Sequence, residues 1–408
     1  MRLLLPILSL LPALSAAVRV STDFEGGSLG RVEQVSEVHF RLGVKGENDQ
    51  DGRNRQANWY YFRVEDAGSK ELTFDMVDLP GEYNYAPNRG AITDDTPPVI
   101  SYDRRTWTHV TGFQYDRAEP KMTLRIVPRK SRFWVAHVPP YTALELNALR
   151  KSIARHRDFR EEVIGKSVGG RDLLLWTIAA GPAAAERPTV WLMFRQHSWE
   201  GGSSWAGEGA VRALMGDDDE SRARRRGITW KIFPMCDPDG VARGGVRFNA
   251  NGFDLNRNWD VQDPEKMPEI AAQRAAVKAW IDAGNRIALF FTLHNTETNE
   301  YLEGPPQEGE DGAIRPLAER FFHLLESGTS FASAGPLRYA GVTTTPGMAG
   351  RMTVVQGLYH DFRIPAFLME QRISMNPRLG HLPEIPDRLT FGGELVDAIA
   401  RTVLGARP

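Results

Sequence analysis

Two patterns of apolar and polar positions divide the chain. From Val18 to Pro139, short apolar stretches partly alternate with polar residues and are broken by Gly, Pro, Asn and Asp. "NWYYFRVE", "KELTFDMVDL", "KMTLRIVP" and "RFWVAHV" are β-branched and aromatic, and no helical spacing of useful length interrupts them. This predicts an all-β, antiparallel sandwich over residues 18–139. After "PPYT" (Pro139 to Thr142) the texture changes: Leu144, Leu146 and Leu149 begin a helix. Apolar strands "PTVWLMF", "ITWKIFPM", "RIALFFTL" and "IPAFLM" then alternate with helices such as "EIAAQRAAVKAWIDA" and "RPLAERFFHLLES". Residues 140–408 therefore read as an α/β domain with a largely parallel sheet covered on both faces. Leu395, Val396, Ile399 and Val403 mark a final helix packed on it.

Composition narrows the functional classes. The 408 residues hold 50 Lys+Arg and 52 Asp+Glu, a formal charge of -2, which provides no field for nucleic acid or an acidic membrane surface. "DDDESRARRR", Asp217 to Arg226, cancels its own charge and reads as a solvated loop. The opening "MRLLLPILSLLPALSAA" has the basic, apolar and small-residue order of a secretory signal peptide, residues 1–17, with cleavage near Ala17. It is too short to span a bilayer, no later segment resembles a membrane span, and the expected location is exported, periplasmic or secreted. Cys236 is the only cysteine, which rules out an intrachain disulfide, and its apolar surroundings predict a packing thiol.

Three apolar strands end in residues that a core does not favour. His197 follows "VWLMFRQ", His294 follows "IALFFTL" and Glu370 follows "IPAFLM". In an open α/β sheet ligands bind beyond the carboxyl ends of strands, so these groups converge on one crevice. His197, Glu200 three residues on, and His294 form a two-imidazole, one-carboxylate set suited to one zinc ion with a position left for water. Zinc lowers the pKa of bound water from about 15.7 toward about 7. Glu370 then suits the general base and later proton donor. "PDGVARGGVRFNANGFDLNRNWD", Pro238 to Asp260, reads as a long irregular functional segment. From it Arg257 suits a substrate carboxylate, and Arg247 suits negative charge developing on a carbonyl oxygen.

With these residues assembled, the chain resembles the funnel-shaped zinc metallocarboxypeptidases, most closely the cytosolic carboxypeptidase branch in an exported, bacterial-type form. "HSWE", "DPDGV", "FDLNRNW", the "LH" ending in His294 and "FLMEQ" carry the resemblance, and the β-rich region before "PPYT" resembles that branch's accessory domain. The resemblance implies an α/β/α sandwich around a mixed, largely parallel sheet of about eight strands. It also implies zinc on His197, Glu200 and His294, and Glu370 as base. Asn256 and Arg257 would hold the substrate's C-terminal carboxylate, with Arg247 polarising the scissile carbonyl. The substrate would be a peptide or protein C-terminus. The branch's preference for acidic C-terminal residues needs a basic group in the specificity pocket, for which Arg351 is the candidate. Two features depart from the family: Ser198-Trp199 stands where Pro-Gly is common, and "TTTPGMAGRM" lacks the mobile tyrosine of digestive relatives.

Two alternatives remain at this level: a zinc amidase acting on cell-wall peptides or acylated amino acids, and a non-catalytic binding protein that recognises a polymer or protein through the sandwich. The Asn256-Arg257 pair favours the peptidase over the amidase, and retention of every ligand and the base opposes the binding protein. The aromatic stretch "NWYYFR" reads as core rather than binding platform.

Overall fold

The computed structural model describes residues 17–181, 187–307, 314–344 and 348–405; apart from Ala17, the expected signal peptide lies outside them. Twelve strands open the described chain: β1 (Arg19–Ser21), β2 (Val32–Gln34), β3 (His39–Gly43), β4 (Tyr61–Glu65), β5 (Leu72–Val77), β6 (Gly81–Tyr83), β7 (Ala86–Asn88), β8 (Val99–Ser101), β9 (Thr108–His109), β10 (Phe113–Asp116), β11 (Lys121–Ile126) and β12 (Phe133–Ala136). They form two five-stranded sheets, ordered β1-β4-β12-β8-β9 and β10-β11-β5-β3-β2, and a separate hairpin β6-β7. Alternation puts Leu72, Phe74 and Met76 of β5 and Met122, Leu124 and Ile126 of β11 into a core shared with Phe62 and Phe133 of the other sheet. Trp59, Tyr60, Tyr61 and Phe62 are all buried, so the aromatic stretch is core. One pairing departs from the antiparallel expectation: β3 and β5 run parallel. The chain leaves β3, passes through β4 in the opposite sheet and returns in the original direction.

The rest of the chain contributes α1 (Ala143–Ile153), β13 (Phe159–Lys166), β14 (Asp172–Ile178), β15 (Thr189–Phe194), α2 (Gly201–Met215), α3 (Asp219–Gly227), β16 (Thr229–Phe233), α4 (Pro238–Arg243), α5 (Pro268–Asp282), β17 (Ile287–Thr296), β18 (Tyr301–Gly304), α6 (Ile314–Gly328), β19 (Arg338–Tyr339), α7 (Val354–Phe362), β20 (Ala366–Arg372) and α8 (Ile385–Leu404). Its mixed sheet has eight strands in the order β13-β14-β16-β15-β17-β20-β18-β19. The centre, β16-β15-β17-β20, is parallel, while β13-β14 and β20-β18 are antiparallel. Every residue of β15 is buried. Val190, Leu192 and Phe194 pack with residues of α2, α6 and α8, whereas Trp191 and Met193 pack with residues of α5 and α7. Both faces are thus covered, which gives the α/β/α layering. Gly209 and Gly392 let α2 and α8 approach closely: a Cβ on Gly209 would lie 2.1 Å from Leu389 O, and one on Gly392 2.0 Å from Ala206 O. Among the described residues, no helix is long and apolar enough to cross a membrane.

Two further expectations need correction. The charge run is not a loop but mostly the helix α3. Asp218 caps it by accepting from Ser221 N–H, Asp219 and Glu220 occupy the first turn, and Arg224, Arg225 and Arg226 the last. That order complements the helix dipole, and Arg225 is buried against Asp158 at 2.9 Å. The segment from Pro238 is not wholly irregular: Asp237 caps α4 by accepting from Gly240 N–H, and Gly244, at φ +66°, ends it.

The sandwich and the α/β region share a continuous apolar seam. Trp59, Tyr61, Trp107, Ala136 and Val138 from one side meet Trp199, Val246 and Ile373 from the other. Trp199, between His197 and Glu200, is buried here with its ring stacked on His137 at 5.9 Å between centroids.

Candidate functional site

The parallel strands β15 and β17 are neighbours, and both deliver a histidine at or just beyond their carboxyl end. Glu200 follows His197 in the short loop before α2. His197 Nδ1 lies 2.7 Å from Glu200 Oε1 and 3.2 Å from His294 Nδ1, and His294 Nδ1 lies 3.0 Å from Glu200 Oε2. All three residues are buried, with ligand atoms within 4.8 Å of one another.

Neighbouring groups set the imidazole tautomers. His197 Nε2 faces Asp254 Oδ1 at 3.1 Å, and His294 Nε2 faces Gln196 Oε1 at 2.9 Å. Gln196 Nε2 donates to Leu255 O and Thr292 Oγ1 donates to Gln196 Oε1, so this oxygen is the acceptor. Each histidine therefore carries its proton on Nε2 and turns the Nδ1 lone pair inward. Two lone pairs and a carboxylate then converge, an arrangement that needs a cation. Two neutral imidazoles and one carboxylate, with outer partners holding the rings, suit zinc.

Glu370 comes from β20, beside β17, in register with His294. On its other side it stands opposite Tyr301 of β18. Its Oε2 is buried and has no hydrogen-bond partner among the described residues. Burial and the nearby charge of Glu200 push this carboxyl well above the usual range, with Arg247 opposing. Glu200, Glu370, Arg247, Glu297 and Tyr301 line one cavity of about 240 Å³.

The loop after α4 supplies the cations. Arg247 Nε donates to Asp254 Oδ2 at 2.7 Å, so one carboxylate holds both Arg247 and the His197 ring. Burial would raise the Asp254 carboxyl, but Arg247 and His197 hold it well below the usual range. Asn256 is buried and its Oδ1 accepts from Val354 N–H at the start of α7. Arg257 donates to Asn256 O at 2.8 Å. Arg351 lines an adjoining cavity of about 200 Å³ with Arg247 and Asp254, and its Nη2 lies 3.4 Å from Asn84 Oδ1. The fold thus gathers the three predicted ligands, Glu370 and Arg247 at one cleft, with Asn256 and Arg257 on the adjoining backbone and Arg351 in the next cavity.

Four supporting residues escaped the sequence reading. Asp254 lies inside "FDLNRNW" and Gln196 directly before His197, so both were within sight of a motif. Glu47 and Tyr83 lie in the sandwich region, where nothing local marks them. Glu47 Oε2 accepts from the backbone N–H groups of Val246, Arg247 and Phe248 at 2.9, 2.6 and 2.8 Å. Glu47 Oε1 pairs with Arg243.

Comparison with known proteins places both regions of the chain. Residues 146–301 match the zinc carboxypeptidase family, and residues 20–137 match the cytosolic carboxypeptidase N-terminal domain. The chain belongs to the zinc metallocarboxypeptidase family. Among curated relatives, an uncharacterized protein from Zymomonas mobilis is 28% identical over 254 residues, 62% of this chain and 62% of that protein. Human cytosolic carboxypeptidase 6 is 27% identical over 310 residues, 71% of this chain and 59% of that protein. The matches thus span less than two thirds of each of these relatives. The fold matches a metallo-carboxypeptidase from Burkholderia cenocepacia with a TM-score of 0.81 at 23% identity, covering 95% of this chain and 99% of the other. It also matches a Pseudomonas aeruginosa metallo-carboxypeptidase, solved with (2-guanidinoethylmercapto)succinic acid, with a TM-score of 0.79 at 24% identity over 94% and 98% of the two chains.

Proposed function

We propose that this metallocarboxypeptidase hydrolyses the C-terminal peptide bond of peptides or proteins in a zinc-dependent reaction. The observation that supports it most is the convergence of His197, Glu200 and His294 beside Glu370 and Arg247 in one cleft. His197, Glu200 and His294 would hold the zinc ion, which would supply a Lewis acid and make a water acidic enough to be activated near neutral pH. Glu370 takes the proton of the attacking water and returns it to the leaving amine. Its raised pKa suits the return step, because a buried carboxyl holds a proton readily. Arg247, fixed by Asp254, stabilises the negative charge that develops on the scissile carbonyl. Asn256 and Arg257 hold the terminal carboxylate and so set the cleavage one residue from the end. Arg351, in the adjoining cavity, supports a preference for acidic C-terminal side chains.

The test is hydrolysis of peptides that differ only in the C-terminal residue. Native protein, chelated protein restored with zinc, and the Glu370→Gln variant are compared. The expected result is zinc-dependent release of single C-terminal residues, weak on amidated peptides and fastest on acidic ones, with the acidic preference reduced about tenfold in Arg351→Ala. No release from any peptide by zinc-loaded protein rejects the peptidase reading. Release without acidic preference rejects only the role of Arg351.

A further inference from the structure

The hairpin β6-β7 of the sandwich region reaches all three arginines that the proposed function places around the substrate. Tyr83 Oη lies 3.5 Å from Arg257 Nη2, the Arg247 guanidinium carbon lies 5.5 Å from the centroid of the Tyr83 ring, and Asn84 Oδ1 faces Arg351 Nη2 at 3.4 Å. Tyr83 borders both cavities, the one with Glu200 and Glu370 and the one with Arg351.

The hairpin is held in place from beneath. Glu82 N–H donates to Arg55 O at 2.8 Å, and Gln56 Nε2 donates to Glu82 O at 2.8 Å. Gly81 sits so close that a Cβ there would lie 2.0 Å from Arg55 O. The turn residues Asn84 and Tyr85 both have positive φ, 48° and 63°, as a tight two-residue hairpin turn requires. Asparagine tolerates this conformation, but tyrosine pays for it with strain. Tyr85 is retained by its N–H donating to Asn54 Oδ1 at 2.7 Å and by Arg53 over its ring at 4.8 Å. The strained turn fixes the direction in which Tyr83 leaves the hairpin.

A phenol oxygen that accepts from Arg257 still has its own proton to donate. Among the described residues, no protein acceptor takes it. A carboxylate drawn to Arg257 brings two acceptor oxygens, one for the guanidinium and one for the phenol. We propose that Tyr83, delivered by the sandwich region, is a substrate-binding residue whose hydroxyl donates to the substrate's C-terminal carboxylate alongside Arg257. This rests on the carboxypeptidase reading and makes the N-terminal region part of the binding site.

The test uses the full zinc-loaded chain and Tyr83→Phe, which keeps the ring against Arg247 and removes only the hydroxyl. Steady-state hydrolysis of a peptide with a free C-terminus is measured together with inhibition by the released free amino acid and by its amide. The expected result is a KM raised about tenfold, the size of a lost hydrogen bond to a charged group, with kcat within twofold. Inhibition by the free amino acid weakens in parallel, inhibition by its amide does not change, and the melting temperature is unaltered. An unchanged KM in an active enzyme overturns the role of Tyr83 and leaves the peptidase reading standing. A fall in kcat alone places the hydroxyl at the reacting carbonyl and overturns the carboxylate assignment. An inactive wild type removes the peptidase reading and this inference with it.

Discussion

Glu370 stands opposite His294 in the register between β17 and β20, so adjacent parallel strands place the two side chains beside each other on one face of the sheet. Both positions lie near the carboxyl ends of their strands, where the crevice of an open α/β sheet forms. Glu370→Gln preserves size and loses the base. Its kcat is expected to fall about 10²- to 10⁴-fold while metal content stays constant by elemental analysis. For the wild type, the base works only when ionised, and its folded pKa is raised. The acid limb of kcat/KM is therefore expected above the ordinary glutamate value of about 4.3. A limb at the ordinary value would contradict burial as the controlling environment.

Asp254 holds the His197 ring through Oδ1 and Arg247 through Oδ2. Asp254→Ala frees both. Zinc affinity is expected to drop about 10- to 100-fold, measured by competition with a chelator. Unchanged affinity would show that Asp254 does not orient the ligand.

Glu47 collects three backbone N–H groups around Arg247. Removing the carboxylate in Glu47→Ala leaves that loop without its acceptor, and a displacement of the order of 1 Å costs about 10²-fold in rate. A fall of that order in kcat, with zinc content retained and partial recovery in Glu47→Gln, whose amide oxygen still accepts, is expected. Equal loss in both variants would point to charge rather than loop placement.

His137 is buried, its Nδ1 lies 2.6 Å from Asn58 O, and burial pulls its pKa down to about 4. An unfolded histidine titrates near about 6.5. Between these values the unfolded state binds more protons, so stability is fully present above about pH 6.5 and is lost as pH falls toward about 4. Urea unfolding is expected to show about 2 kcal/mol more loss between about pH 7 and about pH 5 in the wild type than in His137→Gln. Parallel pH profiles would reject this source of acid sensitivity.

A Cβ on Gly392 would meet Ala206 O at 2.0 Å and Ala210 N at 2.5 Å, both backbone atoms of α2. Gly392→Ala must therefore separate α2 from α8. A loss of about 1 to 3 kcal/mol, typical of overpacking, is expected as a lower melting temperature. An unchanged value would mean that the helices slide without cost.

The site was more legible in the sequence than its supports were. His197, His294 and Glu370 showed themselves because each follows an apolar run of strand length, and a polar residue in that place is conspicuous. Glu200 was legible by its spacing from His197. Gln196 and Asp254 were adjacent to those signals, but nothing local says which atom of a neighbour faces an imidazole. The helix α3 was misread because its charges cancel along the chain. Their order, acids first and bases last, stabilises a helix, and the burial of Arg225 against Asp158 became visible only in three dimensions.

By itself the sequence determined the two textures of the chain, the apolar strands of the central sheet and the groups that end them. Strand and helix periodicities are local properties, set by side chains within a few residues of one another. Tertiary structure alone decided the parallel pairing of β3 with β5, the burial of Trp199 in the seam, and the placement of Glu47 and Tyr83 at the cleft. Glu47 and Arg247 are 200 residues apart, and Tyr83 and Arg257 are 174 apart. Such contacts are made when the sandwich and the α/β region bury their shared apolar seam, and the order of residues along either one does not record them.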